Sequence, residues 1–446
     1  MIEPALSTPR VRRTALELVG GPALALALLA AGMGLGPGVL VAAAALVGSL
    51  AVGHGLSRRA ARRRGRRRIT QVHVGVRVVQ VAAGCLLALA ALSWTRAILR
   101  PSNSSIGIRS VEWVRDNGGA WLVNDIERAY YSLDAPAKGG PALRNLPVAG
   151  VAVQPRQHAP RASHHRARRR RRTHLPKRVR PVIAPRLPGE GSWRTTRAQF
   201  SRAAEPPILI TSYRPDPSYP RVVAGLAWFD HRRTRVSLYP GIQEPPGGGS
   251  SSGGQVPYAH RRALLATFNG GFKHADGHGG FFSAGRLLEP LIPGQGSIVV
   301  RSDGRVDVRA WRGGARPGPG ITTVRQNLPL IVDRGRPNPN LSDGPEWGAT
   351  LGNAILVWRS GVGVDRHGNL IYAAAPEQTV SGLAQILIHA GAVRAVELDI
   401  NSYWVTLNTY SASGARGPQP LLPTMHRPAT RYLSPDDRDF FAVYAR

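Results

Sequence analysis

The residues best suited to chemistry lie on one short segment near the C-terminal end of the chain. In Val396-Glu-Leu-Asp-Ile-Asn401, apolar residues alternate with Glu397, Asp399 and Asn401. Side chains two positions apart in a strand lie on one face, so two carboxyl groups and an amide would line up. One carboxylic acid can protonate a leaving group while a second carboxylate assists water or a sugar, as in glycosidic and phosphodiester cleavage. The alternative is a half-exposed strand with ordinary polar residues.

A second group of chemically capable side chains lies in Lys273-His-Ala-Asp-Gly-His278. His274, Asp276 and His278 are residue types that ligate metals. The segment is rich in glycine and lacks a convincing helical spacing, so we interpret it as a flexible loop that could touch a substrate. We therefore predict no metal ion and no cofactor.

Short apolar runs bounded by turn residues must position these groups. A hairpin is predicted over 222–239 and another over 297–309, where Ser302-Asp-Gly304 supplies the turn. One helix is predicted over 379–392, capped by Thr379 or Ser381 and ended by Gly391, and it leads directly into the strand that carries Glu397. Many strands and few helices predict an α+β domain with a largely antiparallel sheet.

Four segments follow one another in a distinctive order: Ala266–Phe272, Gln326–Gly335, Arg359–Asn369 and Ala392–Asp399. This order resembles the phosphodiester glycosidase family, whose uncovering-enzyme members remove N-acetylglucosamine from a phosphodiester. The resemblance covers about residues 205–445. It implies a hydrolase that cleaves the bond between a sugar and a phosphate.

The resemblance also implies substrate-binding residues. The Asn-Gly-Gly turn of the family matches Asn269, Gly270 and Gly271. Two glycines permit a positive φ and let the backbone approach a ligand closely, and the amide can bind a sugar hydroxyl or a phosphate. Arg359 matches the family's arginine, and a guanidinium suits a phosphate bidentately. A structural turn and a surface ion pair are the alternatives.

The last motif departs from the family pattern. The family usually has Leu-Asp-Gly-Gly-Gly-Ser, whereas this chain has Leu398-Asp-Ile-Asn-Ser402, followed by Tyr403 and Trp404. Asp399 is kept and the glycines are absent. Either the substrate differs, with aromatic rings stacking on a sugar, or catalysis has been lost.

The N-terminal segment sets the predicted location. Residues 14–56 contain Glu17 as the only charged residue, and one helix of that length, about 60 Å, exceeds a hydrocarbon core of about 30 Å. Gly34-Leu-Gly-Pro-Gly38 divides the run. Three transmembrane helices are therefore predicted at about 15–34, 38–56 and 72–99. A signal peptide is the alternative.

Arginine distribution orients these helices. Short arginine-rich loops stay in the cytoplasm, so the clusters at 10–13 and 58–68 place everything after Arg100 outside. We expect a multi-pass protein of the cell membrane, in contact with the lipid bilayer. The predicted parts are a membrane region (1–100), a helical stem (101–146), an Arg/Pro-rich linker (147–204) and an extracytoplasmic domain (205–446).

The net charge of +33 is unevenly placed. Residues 150–202 carry a net +14, while the domain after them is only mildly basic. The linker could bind anionic headgroups or phosphate-bearing polymers, or act only as a solvated spacer. Nucleic acid is not predicted as a partner, unless the topology is inverted.

We therefore predict a membrane-anchored, extracytoplasmic hydrolase that cleaves a sugar-1-phosphodiester in an envelope glycan or glycolipid. A catalytically inactive module that binds an anionic cell-envelope polymer is the alternative, and the altered last motif favours it. The predicted catalytic residues are Asp399 and Glu397, and the predicted substrate-binding residues are Asn269, Gly270, Gly271, Arg359 and Asn401.

Overall fold

The computed structural model describes most of the chain after its first 66 residues. The described ranges are 67–133, 138–141, 143–147, 175–197, 205–247, 252–342, 345–348 and 356–446. Two compact units occur: one extends to Arg100 and includes Ser104–Glu127, and the other comprises Pro101–Asn103 and Arg128–Arg446. The predicted membrane spans at 15–34 and 38–56 lie outside the described residues.

The described residues of the first unit are helical. Its helices are α1 (Arg67–Leu99), α2 (Ile106–Val114) and the start of α3 (Ala120–Leu133). The Ser105 side chain caps α2 by accepting a bond from the Ile108 N–H, and Trp94 Nε1 donates to Ser110 Oγ over 3.0 Å. By length and composition, one helix among the described residues could cross a membrane, over Ala82–Leu99. The three-span arrangement stays a prediction.

The described residues of the second unit form three antiparallel sheets and few helices, so the α+β prediction is confirmed for this domain. The short helix α4 (His274–Gly277) and helix α5 (Val380–His389) belong to it. The eight-stranded sheet contains, in spatial order, β1 (Arg194–Thr195), β2 (Ile208–Tyr213), β3 (Ala224–Phe229), β14 (Leu370–Gln378), β13 (Val357–Asp365), β15 (Ala392–Glu397), β11 (Leu330–Asp333) and β12 (Arg336–Pro337).

Two five-stranded sheets complete the unit. The first contains, in spatial order, β7 (Arg286–Glu289), β6 (Phe281–Ser283), β10 (Ile321–Gln326), β8 (Gly296–Arg301) and β9 (Val306–Ala310). The second contains β17 (Arg416–Pro420), β16 (Leu407–Ala412), β5 (Leu264–Asn269), β18 (Phe440–Ala445) and β4 (Thr234–Tyr239).

One of the two predicted hairpins is present. β8 pairs with β9 as expected, but β3 and β4 do not pair, and the hairpin over 222–239 is wrong. β3 pairs with β2 and β14, whereas β4 pairs with β18 in another sheet. The physical reason is that the two strands differ in burial. Every residue of β3 is buried, so this strand belongs in the interior of a sheet that is covered on both faces. In β4, buried residues alternate with more exposed ones, as is typical of a strand with one face towards solvent.

The eight-stranded sheet is covered on both faces. Val362 and Val396 belong to a core cluster shared with the two smaller sheets, while Ala395 packs with Leu383 and Leu387 of α5. Gly361 lets α5 lie close, because a Cβ atom there would be 2.9 Å from Leu387. The end of β15, at which the predicted carboxylates lie, is thus held from both faces of the sheet.

Part of the predicted linker belongs to this unit. Val179 is buried, and Glu190 forms a fully buried ion pair with Arg214 at 3.0 Å. Arg197 donates to the carbonyl of Tyr410. The linker prediction therefore fails over residues 175–197, because their few apolar and acidic residues find partners only across the tertiary structure.

Candidate functional site

Asp399 lies just beyond the end of β15, where two further backbone bonds extend the pairing with β13. Leu398 N donates to Ser360 O at 2.8 Å, and Ser360 N donates to Asp399 O at 3.1 Å. The Asp399 carboxyl is buried, with Arg438 Nη2 at 2.8 Å from one oxygen and the Asn401 N–H at 2.9 Å from the other. Burial raises the pKa of Asp399, although Arg438 acts in the opposite direction.

Asn401 organises the turn that follows β15. Its N–H binds Asp399, and its Oδ1 accepts a bond from the Tyr403 N–H at 2.9 Å. Trp404 is buried, and the guanidinium groups of Arg431 and Arg438 each lie 5.1 Å from its ring centre. The Arg427 guanidinium likewise lies 4.4 Å from the ring centre of Tyr403. Both aromatic rings therefore pack against arginines, and their stacking on a sugar remains a prediction.

The Gly270–Gly271 turn is tight for a different reason than expected. Neither glycine has a positive φ, so that part of the interpretation is wrong. A Cβ atom at Gly270 would lie 1.9 Å from Asp439 Oδ2, and one at Gly271 would lie 1.9 Å from Asn327 Oδ1. The absence of a Cβ atom at these two glycines therefore leaves room for the side chains of Asp439 and Asn327. Gly271 O accepts a bond from Arg438 Nη2 at 3.3 Å, which links the turn to Asp399.

Asn269 connects to Asp399 through a serine. Its Nδ2 donates to Ser360 Oγ at 3.1 Å, and that hydroxyl donates to Asp399 O at 2.9 Å. Asn269 Oδ1 accepts from Tyr372 OH and from the Thr406 N–H. The side chain is buried and anchors three elements, and its contact with substrate stays a prediction.

Glu397 and Arg359 form a buried ion pair. Glu397 Oε1 lies 2.7 Å from Arg359 Nη1, and both side chains have 0% exposure. Arg359 Nε also donates to the Gln378 carbonyl at 2.8 Å. Burial raises the pKa of Glu397, Arg359 lowers it, and nearby Asp399 raises it further. A phosphate would reach Arg359 only if this pair opened, so both predicted roles remain predictions.

The charged segment Asp436-Asp-Arg-Asp439 also belongs to the site, although no sequence motif predicted it. Asp436 binds Arg431 at 2.7 Å, and Asp439 binds Arg325 at 2.9 Å, all of them buried. Arg438 lies between them and contacts Asp399. The available signal was four consecutive charged residues directly before the apolar strand β18, since charges at a buried strand end must be paired.

A rim of polar groups surrounds Arg438. Lys273 is buried, and Glu244 Oε2 accepts a bond from the His274 N–H at 3.1 Å. Burial raises the pKa of Glu244, while Arg438 and Lys273 lower it. Asp276 and His278 are exposed on and beside α4. The described residues contain no group of three His, Cys, Asp or Glu side chains that could hold a metal.

Comparisons with known proteins give distant similarities of fold. No family model matches the chain, and no curated protein matches it in sequence. The zebrafish N-acetylglucosamine-1-phosphodiester alpha-N-acetylglucosaminidase catalytic domain, auto-inhibited by its pro-peptide, is 16% identical with a TM-score of 0.38, covering 55% of this chain and 85% of that chain.

Two further solved structures are similar at the same level. A hypothetical protein from Synechocystis has a TM-score of 0.34 and 16% identity, covering 54% of this chain and 62% of that chain. A putative exported protein from Burkholderia pseudomallei has a TM-score of 0.32 and 13% identity, covering 52% of this chain and 75% of that one. These values do not assign the chain to a family.

Proposed function

We propose that this protein is a hydrolase that cleaves a sugar-1-phosphodiester at the site around Asp399. The observation that carries the proposal is a buried carboxyl with a raised pKa, in contact with Arg438 and beside the Gly270–Gly271 turn. A buried carboxyl whose pKa is raised is better suited to general acid catalysis than an exposed one. The order of the four family-like segments in the sequence supports the same reaction.

Arg438 would couple substrate binding to proton donation. Its Nη2 binds both Asp399 Oδ2 and Gly271 O. A phosphodiester oxygen that enters beside the turn would compete with Asp399 for this guanidinium, and Lys273 would add a second positive charge. Loss of the Asp399–Arg438 bond raises the pKa of Asp399 further. Asp399 then protonates the oxygen that leaves with the phosphate.

The second carboxyl of the reaction is open to two assignments. Glu397 would stabilise developing positive charge on the sugar from beneath the site, through its position next to Asp399 and Arg359. Glu244 is half-buried at the rim of the site and would activate the attacking water. Asn269 and Asn401 would position Asp399 through Ser360 and through the turn after β15.

The test is hydrolysis of a panel of sugar-1-phosphodiesters by the full chain in detergent. Asp399→Asn should lower turnover by about 10²–10⁴-fold, the usual range for a general acid. Asp303→Asn, an exposed aspartate in the β8–β9 turn, is the matched control and should retain activity. Turnover that survives in Asp399→Asn would remove this residue from the mechanism.

We further propose that the domain is extracytoplasmic and anchored by the apolar helix over Ala82–Leu99. A phosphatase reporter that is active only outside the cytoplasm should be active when fused after Arg100. The same reporter should be inactive when fused within residues 58–68. The reverse pattern would contradict this topology and an envelope substrate.

A second candidate function is a module that binds an anionic envelope polymer without cleaving it. Both buried carboxylates of the segment already have an arginine partner, Asp399 with Arg438 and Glu397 with Arg359. Such pairs can be purely structural. Binding of panel members without any turnover would support this candidate instead.

A further inference from the structure

A basic groove lies apart from the Asp399 site. It has a volume of about 580 Å³ and is bordered by β9, by the loop that follows it, and by the beginning of β15. Four arginines line it, together with two aspartates. These charged lining residues are Arg309, Arg312, Arg316, Arg394, Asp307 and Asp333.

The loop that carries Arg312 and Arg316 is held in place by hydrogen bonds. Trp311 is buried at its base, and the indole Nε1 donates to Gly314 O at 2.9 Å. The backbone N–H of Trp311 donates to Gln295 O at 2.9 Å, and Leu291 N donates to Ala315 O at 2.9 Å. The two exposed arginines therefore extend from a fixed loop, which lowers the entropy cost of binding a ligand.

The groove has an excess of positive charge. Arg394 is neutralised by Asp307, with Nη2 and Oδ1 2.5 Å apart. Within the described part of the chain, no acidic side chain lies within 4.0 Å of the guanidinium nitrogens of Arg309, Arg312 or Arg316. Asp333 is the remaining acid of the lining. The three guanidinium groups of Arg309, Arg312 and Arg316 are therefore balanced by one remaining carboxylate in the groove lining.

We propose that this groove binds a phosphate-bearing ligand through Arg309, Arg312 and Arg316. Guanidinium groups present paired N–H donors that match two phosphate oxygens, and the groove volume lies within the range of small-molecule sites. Arg394 precedes Asp399 by five residues, about 17 Å along an extended chain. The proposal is therefore independent of catalysis at Asp399.

The test is protection of individual arginines from phenylglyoxal in the full chain, read by peptide mass spectrometry. Inorganic pyrophosphate is the probe. Arg312 and Arg316 should be protected in a saturable manner, whereas the exposed Arg262 and Arg286 of the same molecule serve as controls. Residue-specific detection separates the groove from the arginine-rich segment at 166–172.

Two variants and a second anion test whether the groove binds phosphate and whether it acts separately from Asp399. Asp333→Asn removes the opposing charge and should lower the half-protecting pyrophosphate concentration by about threefold, as expected for one partly screened charge. Asp399→Asn should leave protection unchanged. Equal protection of Arg262 and Arg286 would overturn the proposal, and equal protection by citrate would overturn the assignment to phosphate.

Discussion

At the scale of single residues, the site depends on how buried charges are paired. Asp399 has one charged partner, Arg438, and that arginine also touches the Gly271 carbonyl. Asp436 is paired with Arg431 and Arg427. The carboxyl with fewer cationic partners has its pKa raised, and the one with more has its pKa lowered. Chemistry is therefore expected at Asp399, and a structural role at Asp436.

Removal of Arg438 should shift the pH dependence of turnover. Burial raises the pKa of Asp399 and Arg438 partly offsets this effect, so Arg438→Gln should raise that pKa further. If Asp399 is the acid, the loss of kcat/KM with rising pH should move to higher pH, and Arg438→Lys should restore the profile in part. An unshifted profile in Arg438→Gln would contradict this coupling.

Gly271→Ala should destabilise the domain. The added Cβ would lie 1.9 Å from Asn327 Oδ1, and such overpacking costs about 1–3 kcal/mol. Gly318→Ala is the control, because no atom lies within 4 Å of its Cβ position. Urea denaturation of both variants measures the difference, and equal stability would show that the turn can relax.

At the scale of elements, the site forms where three strand ends meet. Asp399 lies two residues after the end of β15, β5 ends at Asn269, and β18 begins directly after Asp439. Ser360 of β13 joins the first two through its hydroxyl. The eight-stranded sheet and the second five-stranded sheet are thereby tied together at this corner.

The charged segment before β18 should make the free energy of unfolding depend on pH. Burial opposes ionisation of Asp436, but Arg431 and Arg427 outweigh it and lower its pKa. Its stabilising effect is therefore fully present above the ordinary aspartate pKa, about 3.9, and is lost as pH falls through the lowered value. Asp436→Asn should cost about 3–5 kcal/mol near neutral pH.

Thermal unfolding at several pH values measures this effect. The difference in Tm between the unaltered chain and Asp436→Asn should be constant above about pH 5 and should shrink in stronger acid. Asp303→Asn removes an exposed carboxylate and should change Tm little at any pH. A Tm difference that grows as the pH falls would contradict a lowered pKa for Asp436.

At the scale of the whole molecule, the folded unit is longer than the resemblance suggested. Residues 175–197 contribute Val179 to the core and the Glu190–Arg214 pair to the interior. The stable domain therefore begins before residue 205 and includes residues 175–197, and Leu143 and Leu146 also pack against its core.

Truncation tests this boundary. A fragment of residues 175–446 should unfold at a higher temperature than one of 205–446, because the shorter fragment leaves Arg214 buried without Glu190. Arg214→Met in the shorter fragment should recover part of the loss, since it removes the unpaired charge. Equal Tm values for the two fragments would assign residues 175–197 to the linker.

The sequence by itself determined the local features of this protein. The Ser302-Asp-Gly304 turn and the cap at Thr379 predicted a hairpin and a helix that the structure contains. The strand predicted from the alternation in 396–401 ends at Glu397, so Asp399 and Asn401 lie beyond it. These features depend on neighbours within a few residues, so periodicity and turn chemistry suffice to predict them.

The tertiary structure decided which charges meet. The sequence placed Glu397, Asp399 and Arg359 in one predicted site without indicating their ion pairs. The fold pairs Arg359 with Glu397 and pairs Asp399 with Arg438, 39 residues away. The same holds for Glu190 with Arg214 and for Gly271 with Asn327. Ion pairing and steric fit act through space between distant segments, and no pattern along the chain encodes them.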